Sequence, residues 1–112
     1  MKKQVIAIML CIPFVSANAQ YKDGNQLYTQ MQEKFASVDW FNAMGYVTGV
    51  ADTLTNITIC GPKDAGVPAS QIYDIVKQYL QENPSIRHLS ADRIVNSALS
   101  RVFPCQKKGS AL

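Results

Sequence analysis

Tyr73-Asp-Ile-Val-Lys-Gln-Tyr-Leu-Gln-Glu-Asn-Pro84, closed further on by Val102-Phe-Pro-Cys105, decides the fold class. Ile72, Ile75, Val76, Tyr79 and Leu80 recur at the spacing of one helix face, while Asp74, Lys77, Gln78 and Gln81 cover the opposite face. Pro68 suits the first turn of this helix. Pro84 ends it at Glu82 or Asn83, because the residue before a proline is pushed out of the α region. Ser85 to Leu89 form a connecting loop. Ser90 is then placed to cap a second helix, with Asp92 in its first turn and Leu89 able to staple onto Ile94. Ile94, Val95, Ala98, Leu99 and Val102 make that helix's inner stripe, and Pro104 stops it before Cys105. The two helices and their basic loop form one module.

Upstream, Asp23 to about Ser37 reads as a polar helix with Leu27, Met31 and Phe35 on one stripe, and Gln26, Gln30, Gln32, Glu33 and Lys34 outside it. Asp39 is a candidate N-cap for a further helix from Trp40 to about Asn56. Its apolar positions (Phe41, Met44, Val47, Val50, Ala51, Leu54) cover more than half the circumference, which marks it as the central, most buried helix. Gly45 and Gly49 share a face with Thr53, and two helical glycines cost about 1 kcal/mol each relative to alanine. The face they make would let another backbone approach closely. Gly61-Pro62, Gly66 and Pro68 mark the turn that follows. No segment alternates with the period of a strand. The expected fold is all-α, a small four- to five-helix bundle.

The first residues read as a targeting segment. Lys2 and Lys3 precede an apolar run from Val5 to Val15, and Ala17-Asn18-Ala19 is a cleavage motif, so residues 1–19 are expected to be a cleaved signal peptide. The run is too short to span a membrane, and Leu10 before Cys11 does not fit a lipobox. Two of the 11 Lys and Arg lie in this leader and none of the 8 Asp and Glu, so the remaining 93 residues carry +1 rather than +3. That balance leaves no basic footprint for nucleic acid. The organisation expected is a leader, a helical domain over 20–106 and a disordered tail over 107–112.

Without the leader two cysteines remain, Cys60 and Cys105. In an oxidising compartment they should be joined, the alternative being two free buried thiols. With one histidine, His88, zinc ligands are lacking, and no metal or cofactor is expected. His88 beside Arg87 lacks a sequence-near nucleophile or orienting carboxylate, so no catalytic residue is assigned and the chain is not expected to be an enzyme. Asp52 is either a buried functional acid or a capping or solvent-facing carboxylate. Trp40 and Tyr46 are read as packing residues in preference to a ligand cage. The loop from Asn83 through Pro84, Ser85, Ile86, Arg87 and His88 to Leu89 is either a plain connector or a binding surface. It combines an apolar residue, a guanidinium and an imidazole, the mix found at interface hot spots.

Gly45-Tyr-Val-Thr-Gly-Val-Ala-Asp52, Ile59-Cys60 with Pro62, Val76-x-x-Tyr-Leu-x-x-x-Pro84, Ala98-Leu99 and Phe103-Pro-Cys105 together resemble the Rap/Tai family, periplasmic immunity proteins of type VI secretion systems. The resemblance covers about residues 25–106. It departs from many relatives in lacking a second cysteine pair, whose places fall near Gln30 and Ala43. The resemblance implies a periplasmic homodimer that binds a protein effector, typically a peptidoglycan amidase, and blocks its active-site cleft with the loop between the third and fourth helices. In this chain that loop is Asn83–Leu89, with the first helix as a secondary contact. Substituting Arg87 and His88 by alanine is then expected to weaken binding with little change in melting temperature. The alternatives are an HdeA-like acid-stress chaperone of the periplasm or an inhibitor of another wall hydrolase such as a lysozyme.

Overall fold

A computed structural model of the chain describes residues 21–106. The expected leader, 1–19, and tail, 107–112, lie outside these residues. Four α-helices follow in order: α1 (Gly24–Met31), α2 (Val38–Leu54), α3 (Ala69–Glu82) and α4 (Ala91–Val102), with a short 3₁₀ helix, η1 (Pro84–Ile86), between the last two. The described residues contain no strand, only isolated bridges between Asp23 and Ser90 and between Thr55 and Ile59. The all-α bundle and the Cys60–Cys105 disulfide are both present.

α1 begins with a capping box. The Asp23 carboxylate accepts from the Gln26 amide at 2.8 Å, and the Gln26 side chain accepts from the Asp23 amide at 2.9 Å. The helix ends at Met31, a turn and a half short of the expected Ser37. Ala36 adopts a left-handed φ of 69°, so the chain leaves the helix and turns before it. Phe35 consequently falls off the inner stripe and is 76% exposed, whereas Leu27 and Met31 are buried. Ser37, rather than Asp39, caps α2 by accepting from the Trp40 amide at 3.1 Å, and Asp39 falls in the first turn.

α2 touches α1, α3 and α4, yet only Ala43 and Val47 are fully buried on it. Val38 is 77% exposed and Phe41 57%. A Cβ built on Gly45 or Gly49 would meet nothing within 4 Å. The expected close approach of another backbone to these glycines is therefore not made within the chain. The hydroxyls of Thr48, Thr53 and Thr55 donate to carbonyls of the preceding turn, at 2.9 Å, 2.9 Å and 2.8 Å. Asp52 takes the solvent-facing alternative, exposed and 3.2 Å from the Lys63 ammonium. Trp40 packs edge-on to Phe35 and Phe41 and tilts over Tyr73, its ring centroids 4.7, 5.1 and 5.4 Å away.

Pro68 occupies the N-cap position of α3. The helix buries Ile72, Val76 and Leu80 as its periodicity requires, but Tyr73 takes the inner place beside them, while Ile75 and Tyr79 are half-buried. The Tyr73 hydroxyl donates to the Met31 carbonyl at 3.2 Å, which satisfies the polar end of a buried ring. Burial, with Asp74 nearby, pushes this phenol above its ordinary range. On α4, Ala91, Ile94, Val95, Ala98 and Leu99 are buried, but Val102, expected on the inner stripe, is 52% exposed in the last turn. Ser90 stands at the N-cap without a side-chain cap bond; the Ala91 amide donates instead to the Lys22 carbonyl at 2.9 Å. The disulfide brings the Cα atoms of Cys60 and Cys105 to 4.9 Å, and the Cys60 amide donates to the Phe103 carbonyl at 2.9 Å beside it.

Two outcomes follow. Gly49→Ala should stabilise the folded chain by about 0.5–1 kcal/mol, since it raises helix propensity and meets no neighbour, and a thermal melt reads it directly. Cys105→Ser should cost roughly 4 kcal/mol in urea unfolding, the loop-closure value for a bridge spanning 45 residues.

Candidate functional site

The segment between α3 and α4 is a braced loop. The Asn83 side chain donates to the Tyr79 carbonyl at 2.9 Å, capping a carbonyl at the end of α3 that the Asn83 amide leaves by turning to Leu80. Turn bonds then run from Ile86 to Asn83 at 3.2 Å, from Arg87 to Pro84 at 3.4 Å and from Leu89 to Ile86 at 3.0 Å. Each satisfies a backbone group inside the loop.

The loop is also tied from outside by the start of α1. The Gly24 amide donates to the Leu89 carbonyl at 2.9 Å and the Asn25 amide to the Arg87 carbonyl at 2.8 Å. These first-turn amides are the donors that a helix leaves without internal partners, and here the loop's carbonyls take them. The approach is so close that a Cβ on Gly24 would lie 2.6 Å from the Arg87 carbonyl oxygen and would also strike the tip of Ile94. Glycine is required at position 24 by this contact.

Arg87 behaves differently from the free guanidinium expected of a hot spot. Its Nε donates to the Leu80 carbonyl at 2.8 Å, its Nη2 reaches the Gln81 carbonyl at 3.4 Å, and the guanidinium lies over the Tyr28 ring at 4.0 Å. It thus holds the last carbonyls of α3, where a cation also complements the helix dipole, and stacks on α1. Ile86 and Leu89 are half-buried against the core. Of the seven loop residues, Pro84, Ser85 and His88 are exposed, and Asn83, Ile86, Arg87 and Leu89 form the mount. Gly24 and Tyr28 were not anticipated as part of this site. The one sequence signal was a glycine directly after the Asp23 cap, an unfavourable way to start a helix unless space demands it.

Beside the mount, Lys22 donates to the Gln30 side chain at 2.5 Å and lies over the Tyr46 ring at 5.2 Å. Burial lowers the pKa of this ammonium, with Asp39 opposing the shift. Burial, with Asp92 adding to it, raises the Tyr46 phenol. A shallow cleft of about 470 Å³ between α2 and α4 is lined by Gly45, Tyr46, Gly49 and Asp92, and its walls bring no nucleophile and base together. Among the described residues no group of His, Cys, Asp and Glu is arranged to hold a metal ion, and no helix is long and apolar enough to cross a membrane. The arrangement is a short exposed tip on a fixed base.

A family model for the Rap1a immunity proteins matches residues 23–105. The matched span runs from the Asp23 cap of α1 to the disulfide at Cys105 and so takes in the loop and its whole mount. No curated protein matches the chain.

The mount changes what substitution of the loop should do. Arg87→Ala should lower folding stability by about 2 kcal/mol, since it removes carbonyl bonds and a cation–π contact. His88→Ala, at an exposed position, should stay within about 0.5 kcal/mol of the parent in the same denaturation experiment.

Proposed function

Because this chain belongs to the Rap1a immunity protein family, we propose that it protects its host cell by binding a type VI secretion effector stoichiometrically in the periplasm. The effector is a peptidoglycan amidase, and the Asn83–Leu89 loop enters its active-site cleft. The observation that carries this reading is the loop's construction, with an exposed tip of Pro84, Ser85 and His88 on a base bonded to α1 and α3. A segment already held in its bound shape loses little conformational entropy on docking. Occupying a cleft excludes substrate and water together, so inhibition needs no chemistry from the inhibitor.

Other features support the compartment and the assembly. A cleavable leader over residues 1–19 and the Cys60–Cys105 bridge fit export to an oxidising space. The exposed Val38 and Phe41 and the open Gly45 and Gly49 on α2 fit a homodimer, since they offer a flat apolar face on which a second copy could close.

The test is an inhibition titration against purified peptidoglycan amidase effectors of type VI secretion systems. His88→Ala and Ser85→Arg should each raise the inhibition constant by about tenfold or more, while the melting temperature stays that of the parent. Full inhibition by both variants would move the contact away from the loop, and no inhibition by the parent chain would remove the amidase as target.

A further inference from the structure

Arg87 is held at both of its ends, and two different helices do the holding. Its carbonyl accepts from the Asn25 amide at 2.8 Å. Its guanidinium lies over the ring of Tyr28 at 4.0 Å, and Tyr28 stands three residues after Asn25 on the same face of α1. From the other side α3 offers its last carbonyls, with Nε donating to Leu80 at 2.8 Å and Nη2 reaching Gln81 at 3.4 Å. The residue thus bridges α1 and the end of α3. Ser85 comes two residues before it and His88 one after, so where Arg87 is fixed decides which way these exposed side chains point.

The holds do different things. A hydrogen bond through Nε fixes one edge of the guanidinium but leaves its plane free to tilt about the bond. The face of an aromatic ring removes that freedom, because a planar cation gains most when it lies flat against the ring. Tyr28 is half-buried and belongs to the packing of α1, so its ring is itself a fixed surface. The carbonyl bonds therefore set where the guanidinium sits, and Tyr28 sets how it is turned.

We propose that Tyr28 is a positioning residue for the binding tip: it touches Arg87 rather than the effector, and sets affinity by keeping residues 85–88 in the shape that docks. The proposal rests on the effector-binding reading and deepens it. Where the family resemblance makes α1 a secondary contact, this residue of α1 acts through the loop. A docking shape that is populated only part of the time lowers apparent affinity by that fraction. Such a loss falls on association, whereas loss of a direct contact falls mostly on dissociation.

The test compares Tyr28→Leu, which keeps apolar bulk without the ring, with Tyr28→Phe, which keeps the ring. In the full chain without effector, the Asn25, Arg87 and Leu89 amides of Tyr28→Leu should exchange hydrogen about fivefold faster than in the parent, the factor that corresponds to one cation–π contact. Tyr28→Phe should restore the parent's rates, and the Val95 and Leu99 amides of α4 should be unaltered in both variants. Against an amidase that the parent inhibits, Tyr28→Leu should associate more slowly, by about twofold or more, and dissociate at the parent's rate. Faster dissociation with unaltered association would make Tyr28 a contact residue and overturn the proposal. Unaltered exchange at Arg87, equal quickening at Val95 and Leu99, or failure of Tyr28→Phe to restore protection would overturn it as well. No inhibition by the parent chain would remove the amidase reading itself, on which the exchange measurements do not depend.

Discussion

The strap between the start of α1 and the far side of the α3–α4 loop is the constraint on which the rest depends. Gly24, Asn25 and Ala91 supply amides, and Leu89, Arg87 and Lys22 the carbonyls that receive them. All three amides lie at a helix start, where the first N–H groups have no partner within the helix. Each helix therefore completes its own first turn by holding the chain beside it. Without the strap α1 would be a short polar helix with three buried residues, too short to persist on its own. With it, α1 becomes the wall against which the loop is set.

The other end of the bundle is closed covalently. The bridge joins the turn after α2 to the segment after α4, and the Cys60 amide bond to Phe103 runs alongside it. A domain of this size buries a modest core and has few kilocalories per mole to spare. α3, the loop and α4 are thus fixed at one end by sulfur and at the other by backbone hydrogen bonds. The exposed side chains of Ser85 and His88 add little to the stability, which resides in the mount and the core.

Much of this was legible in the residues, and the exceptions share one cause. The periodicity of Ile72, Val76 and Leu80 and of Ile94, Val95, Ala98 and Leu99 led directly to the buried faces of α3 and α4, and the pairing of Cys60 with Cys105 followed from number and compartment. The end of α1 was not legible, because nothing in Ala36 announces a left-handed turn. Tyr73 is absent from the periodic stripe because its place depends on Met31 and Trp40, which lie in other elements. The glycines invert most instructively: the pair on α2 suggested close packing and faces open space, while Gly24, unremarked, is pressed against Arg87 and Ile94. Arg87 likewise could not be told from a free cation without knowing that Tyr28 and the end of α3 surround it. Local pattern tells which face is apolar. It does not tell which neighbour arrives there.

The strap has a consequence for how such a protein can change over generations. Two of its three bonds fall on loop carbonyls and the third joins Lys22 to Ala91, so all three are made by backbone atoms, which every residue type except proline presents in the same way. The mount therefore takes no notice of which side chains stand at positions 85 and 88. Those two positions can change while the scaffold keeps its stability, provided that residue 24 stays glycine.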